Sequence, residues 1–474
     1  MNKIQEGIEK EGVKAPLVEA MANALENPTY QFHIPGHTKG NGVFKPFKDL
    51  VGDRLLELDT TDEFDGLGTL NPPAGPIKEA EDLAALAFDA KRTFFLLNGS
   101  TIGNIALAMG LTKKGQKVIV NRNCHRSILT GLITSGAEAL WVVPEKIEDW
   151  SIWGQVKPDK IEKLLEANND IAFVWLTNPT YEGVVSDIKS ISKICKKYNV
   201  PLIVDEAHGC LWHFNKYLPT PALELGADAV VHSLHKTGGS MSQTSMLHIS
   251  KDSKIDVETL ERTLKLLHTT SPSLLLLTSL DAARANLESD YGKELIQRSV
   301  ENAKYLKNAI SNMENIEYLT VDGFNNTDIT KIFIKVNGLS GKSLETILET
   351  DYKIEVESAS DIGVLILSNI GNSLSDFVYL VKCLEEIDKM DYSGHPIIDR
   401  KKHMPLLIPE IKIRLRDAYF ADKEIIKKQD AIGRISAEVV AECPPGISIL
   451  LPGELITAEH MPYLEDYEVL EVIK

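Results

Sequence analysis

Between Arg92 and His248 the chain repeats one unit: a short apolar run, a polar turn, then a helical stretch. The apolar runs are RTFFLL, KVIVN, ALWVVP, IAFVWLTN, PLIVDEAHG and ADAVVHS. Between them lie IGNIALAMGL, SILTGLITSGA, PDKIEKLLEANN and SDIKSISKICKKYN, with helical spacing of their apolar residues. Runs that are apolar without alternation are buried on both faces, so the repeat predicts an α/β chain with a mostly parallel sheet covered by helices. In such sheets the polar loops gather at the carboxyl ends of the strands, which is where chemistry is expected.

A chain of 474 residues exceeds one simple core. We expect a helix and loop segment over residues 1–60, a large sheet domain over 61–285, a smaller α/β domain over 286–390 and a C-terminal domain over 391–474. Residues 1 to about 30 read as one helix, and PALELGA as a short one. The net charge of −17 argues against nucleic acid, which needs a basic face. No apolar stretch is long enough to span a membrane, and the first residues lack the apolar core of a signal peptide. The five cysteines are scattered and form no C-x-x-C pair, which suggests a reducing cytoplasm without disulfides or a cysteine zinc site. His33 and His37 are four apart, but the Pro-Gly between them breaks a helix, so a loop is expected there rather than a metal pair.

The strand ends carry the chemistry. Asn98-Gly99-Ser100-Thr101 opens a helix after RTFFLL. Free amides, a glycine and two hydroxyls make an anion seat there, although an ordinary N-cap needs the same residues. Asn123-Cys124-His125 follows the next strand, and His125 could lie flat on a ring. Asp205 ends PLIVD; a carboxylate at a buried strand end needs a partner, which a protonated pyridine nitrogen, a metal or a salt bridge would supply. His208, three residues on, could orient Asp205 or its loop and is counted with the cofactor-binding residues. Lys236 follows ADAVVHSLH, beside Ser233 and His235. The segment GLSGKS lacks the first glycine of a nucleotide P-loop, and no G-x-G-x-x-G opens a helix. A phosphate seat, a stacking ring, a counter-charge and an amine, in this order on one sheet, match the needs of pyridoxal 5′-phosphate, with Lys236 as its Schiff-base lysine.

The blocks FHIPGHTKG, DEFDGLGTLNPPAGPIKEAEDLAA, LLNGSTIGN, RNCHRS, TNPTYEG, VDEAHG, SLHKT, LHTTSPS and CPPGISILLPGE resemble the bacterial ornithine/lysine/arginine decarboxylases of the aspartate-aminotransferase-like fold, in their short form. The resemblance implies cofactor roles for Lys236, Asp205, His125, Ser100, Thr101, Ser233 and His235, with His235 also near the reacting carbon. It implies a homodimer or higher homo-oligomer with shared sites, in which Thr269 and Thr270 reach the neighbouring subunit's site. The implied substrate is a basic amino acid: arginine, then lysine, then ornithine. Acidic partners for its side chain are sought in Glu454 and in Asp62, Glu63 and Asp65. The family's phosphate turn often reads Gly-Thr-Ser rather than Gly-Ser-Thr, and leucines here replace aromatic residues after Ser271-Pro272. An aminotransferase or lyase on the same cofactor, or a catalytically silent relative, are the alternatives.

Overall fold

Seven strands form the central sheet: β1 Ala90–Leu96, β2 Lys117–Asn121, β3 Glu138–Val142, β4 Ile171–Thr177, β5 Leu202–Asp205, β6 Ala229–His232 and β7 Ser245–Ser250. These are elements of a computed structural model that describes residues 3–27, 29–62, 66–321, 327–392, 408–442, 447–464 and 467–474. The order is β1-β7-β6-β5-β4-β2-β3. Strands β2 to β6 run parallel, while β7 is antiparallel to both β1 and β6.

The apolar runs are buried because helices cover both faces. Ile102 and Leu107 of helix Gly99–Leu111, Ile128 and Leu132 of helix Arg126–Ser135, and Leu260 of helix Val257–Leu267 pack on one side. Ile161 and Leu165 of helix Pro158–Ala167 and Ile188 and Ile191 of helix Ile188–Lys197 pack on the other. Full burial of such side chains contributes about 1.5–3 kcal/mol each against the chain's conformational entropy.

A second, antiparallel sheet consists of β8 Ile316–Tyr318, β9 Lys331–Val336, β10 Ser358–Ala359 and β11 Val364–Leu367, in the order β8-β9-β11-β10. Its core includes Leu306, Leu344 and Leu384 from helices Asp290–Ile310, Gly341–Tyr352 and Leu374–Asp388. Two ribbons, Lys423–Lys427 with Val469–Ile473 and Val440–Glu442 with Ile447–Leu450, surround a separate cluster near the C-terminus.

Three expectations change. The first helix is two, Lys3–Glu11 and Pro16–Glu26, because Gly12 takes a left-handed φ of 68° and Pro16 starts the second. PALELGA is a turn, since Pro221 and Gly226 leave too few residues between them to nucleate a helix. Strand β7 runs against its neighbours, a direction that periodicity does not carry.

Candidate active site

The carboxyl ends of β1, β2, β4, β5 and β6, with the start of β7, open onto one cavity of about 430 Å³. This lies within the about 300–1,000 Å³ usual for small-molecule sites. Its wall includes Ser100, Thr101, His125, Asp205, His208, Ser233, His235 and Lys236.

The turn Asn98-Gly99-Ser100-Thr101, expected to seat an anion, leads into helix Gly99–Leu111. Gly99 has a φ of 64°, which favours glycine, and its N–H donates to the Gln243 carbonyl at 2.8 Å. The next amides open helix Gly99–Leu111, whose first turn has no intrahelical acceptors for them. A Cβ built on Gly99 meets no atom within 4 Å, so the turn faces open space. Ser100 Oγ lies 2.7 Å from Ser233 Oγ and 3.3 Å from Ser245 Oγ, so β7 brings a third hydroxyl to the seat.

Asp205 and His125 are joined by a residue the sequence reading missed. Asn104 Nδ2 donates to Asp205 Oδ2 at 3.0 Å and to Ser127 Oγ at 2.9 Å. Ser127 Oγ lies 2.8 Å from His125 Nδ1, and the Ser127 amide donates to the same nitrogen at 3.2 Å. That amide can only donate, so Nδ1 accepts and the neutral ring carries its proton on Nε2. Burial lowers the His125 pKa, which favours this neutral form. The available signal was a lone amide in the apolar run IGNIALAMGL, one helical turn after Ser100.

Lys236 lies in the short helix Leu234–Thr237, just past β6. Burial lowers its pKa, while Asp205 and Glu357 act in the opposite direction. Its Nζ is 2.9 Å from His208 Nε2, so His208 is directed at the lysine rather than at Asp205. His235 Nδ1 lies 2.6 Å from the Thr244 carbonyl and must be the donor, which leaves Nε2 as the titrating nitrogen. Burial lowers the His235 pKa as well.

Three further wall residues had no role assigned beforehand. Tyr181 and Glu182 come from the TNPTYEG loop, and Glu357 comes from just before β10. Tyr181 Oη donates to Glu357 Oε1 at 2.7 Å, which closes the cavity across the two sheets. Burial raises the pKa of Glu182.

Two of the expected substrate carboxylates, Glu454 and Asp62, lie elsewhere. Glu454 is 1% exposed and is committed to Arg122, with Oε1 2.9 Å from Nη1 and Oε2 accepting from Nη2 at 2.9 Å. It does not border this cavity. Buried Asp62 accepts from the Leu70 amide at 2.9 Å and is also absent from the wall. Glu63 and Asp65 lie outside the described residues. Thr269 and Thr270 are exposed and lie outside the cavity of their own chain.

A seven-stranded sheet with its one reversed strand, and a half-buried lysine, an aspartate and a glycine turn lining one cavity at its strand ends, define an enzyme of the aspartate-aminotransferase-like fold class. Residues 15–337 match the Orn/Lys/Arg decarboxylase major domain and residues 402–473 the C-terminal domain of the same family. The arginine decarboxylase of Bacillus anthracis is 35% identical over 461 residues, 95% of this chain and 92% of that one. That of Halalkalibacterium halodurans is 36% identical over 456 residues, 94% and 91% of the two chains. Among solved structures, the constitutive lysine decarboxylase of E. coli superposes with a TM-score of 0.83 at 22% identity, covering 99% of this chain and 83% of that one. Lysine decarboxylase A of Pseudomonas aeruginosa gives 0.85 at 22% identity, covering 98% and 81%. The chain belongs to the Orn/Lys/Arg decarboxylase family and is an amino-acid decarboxylase.

Proposed function

We propose that the protein removes the α-carboxylate of a basic L-amino acid, arginine before lysine or ornithine, using pyridoxal 5′-phosphate. The observation that carries this reading is the single cavity in which Lys236, Asp205, His125 and the Gly99 turn meet. These residues fit the cofactor: the space above Gly99 admits an anion, Ser100, Thr101 and Ser233 offer hydroxyls, and Asp205 offers a counter-charge to a ring nitrogen. When bound, the cofactor supplies an aldehyde carbon for an amine and a ring that accepts the electron pair left on Cα as CO2 departs.

The chain's own groups do the rest. Burial keeps Lys236 less basic than a free lysine, so more of it is available as the amine. Asn104 holds Asp205 and, through Ser127, fixes the plane of the His125 ring. His235 Nε2 or Lys236 Nζ delivers the proton to Cα after CO2 leaves. Glu182 and Glu357 are the wall carboxylates suited to a cationic side chain, and the relatives named arginine decarboxylase support arginine as first choice.

We also read the protein as a cytoplasmic homodimer. Tyr30, Phe32, Phe44 and Leu50 are exposed at 96%, 97%, 76% and 80%, a concentration of bare apolar side chains that suits burial against a second copy. Exposed Thr269 and Thr270 would then serve the other subunit's cavity. The described cysteines are free and buried, which suits a reducing compartment. Among the described residues no helix is long and apolar enough to cross a membrane.

The test is separate incubation of the holoenzyme with arginine, lysine and ornithine, measuring CO2 and amine. Borohydride reduction followed by peptide mapping should tag Lys236, and Lys236→Ala should lose the tag and turnover. Accumulation of keto acid in place of amine would indicate an aminotransferase. Absence of both tag and turnover would leave a silent relative.

A further inference from the structure

His208 is 8% exposed, stands on the turn after β5 and bonds Lys236 through Nε2 at 2.9 Å. Its ring meets Tyr181 edge-on, with centroids 5.5 Å apart. His208 Nδ1 is buried with no hydrogen-bond partner among the described residues. Lys331, at the start of β9 and 4% exposed, stands against Tyr181. Lys331 Nζ donates to the Tyr181 carbonyl at 2.7 Å and lies 5.3 Å from the Tyr181 ring centroid. Its stem packs on Gly183, where a side chain would start 2.9 Å from the Lys331 Cβ. A cation of the second sheet is thus fixed against the loop that backs His208.

We propose that His208 is a further catalytic residue, the proton partner of Lys236, and that Lys331 is a positioning residue acting through it. In the step, an Nζ–H bond of the Lys236 ammonium breaks and an Nε2–H bond forms on His208. Nζ keeps the electron pair, His208 passes the proton on, and the reverse step delivers a proton through His208 to Nζ when Lys236 is released. The charged and titratable groups around this pair are Lys331, His125 and His235, with Asp205, Glu357, Glu182 and Asp328 as the carboxylates. Burial first, then the Lys331 and Lys236 charges, hold His208 well below the ordinary imidazole range, so it rests neutral and able to accept. With Nε2 accepting, the neutral ring already carries its proton on Nδ1, so a proton added at Nε2 makes a cation that burial and the Lys331 charge disfavour, and the proton passes on.

The proposal rests on Lys236 being the reacting amine, and its test separates the two. Apoprotein is mixed rapidly with pyridoxal phosphate, and the rate at which the yellow absorbance grows is followed from mildly acidic to alkaline pH. His208→Gln keeps a hydrogen-bonding side chain but cannot shuttle the proton. It should capture cofactor at least about tenfold more slowly near neutrality, lose the acidic limb of the profile, and recover when imidazole is added as a free base. Borohydride should still tag Lys236 in this variant; a tag on another lysine would overturn the reading of Lys236 itself. Lys331→Met should move the acidic limb to higher pH, because removing the cation raises the His208 pKa. Capture by His208→Gln at the wild-type rate with an unchanged profile would overturn the proposal. So would slow capture that imidazole does not restore, with a limb that Lys331→Met does not move.

Discussion

Glu454 stands where substrate recognition was expected, yet its geometry predicts a different phenotype. Both carboxylate oxygens lie 2.9 Å from the Arg122 guanidinium, with the two side chains 2% and 3% exposed. The Leu451 amide adds a bond to Oε2 at 2.8 Å, and the Arg122 guanidinium lies 5.2 Å from the Trp141 ring centroid. Glu454→Gln keeps the shape but strands a guanidinium in a site closed to water. Removing one partner of such a pair costs about 3–5 kcal/mol, out of a total stability of about 5–15 kcal/mol. The urea midpoint should therefore fall sharply, and pairing Arg122→Met with Glu454→Met should recover most of it, since apolar replacement of a buried pair is often neutral. Arg122 immediately precedes Asn123-Cys124-His125, so the single variant should also hold pyridoxal phosphate less tightly. The preference among arginine, lysine and ornithine should not change, because the carboxylate does not border the cavity. An unchanged midpoint together with an altered substrate preference would refute this reasoning and return Glu454 to the substrate.

Burial holds His213 and His232 near pKa 3, against about 6.5 in an unfolded chain. The unfolded state takes up protons first as pH falls below about 6.5, so each group withdraws up to about 1.4 kcal/mol of stability per pH unit until its folded value is reached. Denaturant midpoints from neutral to mildly acidic pH would contradict this if they stayed flat. Glu357→Gln should raise KM for the cationic substrate by roughly two- to fivefold, the scale of an exposed ion pair, and leave borohydride tagging of Lys236 unchanged. A KM that does not move would remove Glu357 from recognition. Gly99→Ala forces an L side chain into a left-handed φ of 64°, a strain of about 1–2 kcal/mol at the anion turn. Equilibrium dialysis should detect weaker retention of pyridoxal phosphate, and wild-type retention would show that the turn does not hold it.

Much of this was legible because buried parallel strands declare themselves as apolar runs and their ends as polar interruptions. Ser100, His125, Asp205, Ser233 and Lys236, far apart in the chain, meet in one cavity because their strands share a sheet. What escaped depended on information that local pattern lacks. The direction of β7 leaves no trace in its composition. Glu357 and Lys331 come from the second sheet, and nothing near them in sequence points back to the first. Glu454 looked available because Arg122, its partner, lies 332 positions away. His208 was expected to orient Asp205 or its loop, but its ring is bonded to Lys236 and packs edge-on against Tyr181.

Strand β7 has a consequence for how the protein is made. Leu96 of β1 pairs with Ser245 of β7, so the first strand of the sheet to leave the ribosome is bonded to the last. At about 5–20 residues per second, β1 waits roughly 7–30 s for its partner. During that interval the apolar run RTFFLL has no sheet to join, and Ser245 is not yet there to complete the hydroxyl cluster on Ser100. A nascent chain stalled short of β7 holds most of the residues of the anion turn but cannot assemble it. Loading of the proposed cofactor would therefore follow the synthesis of β7, and until then the apolar face of β1 is open to wrong partners.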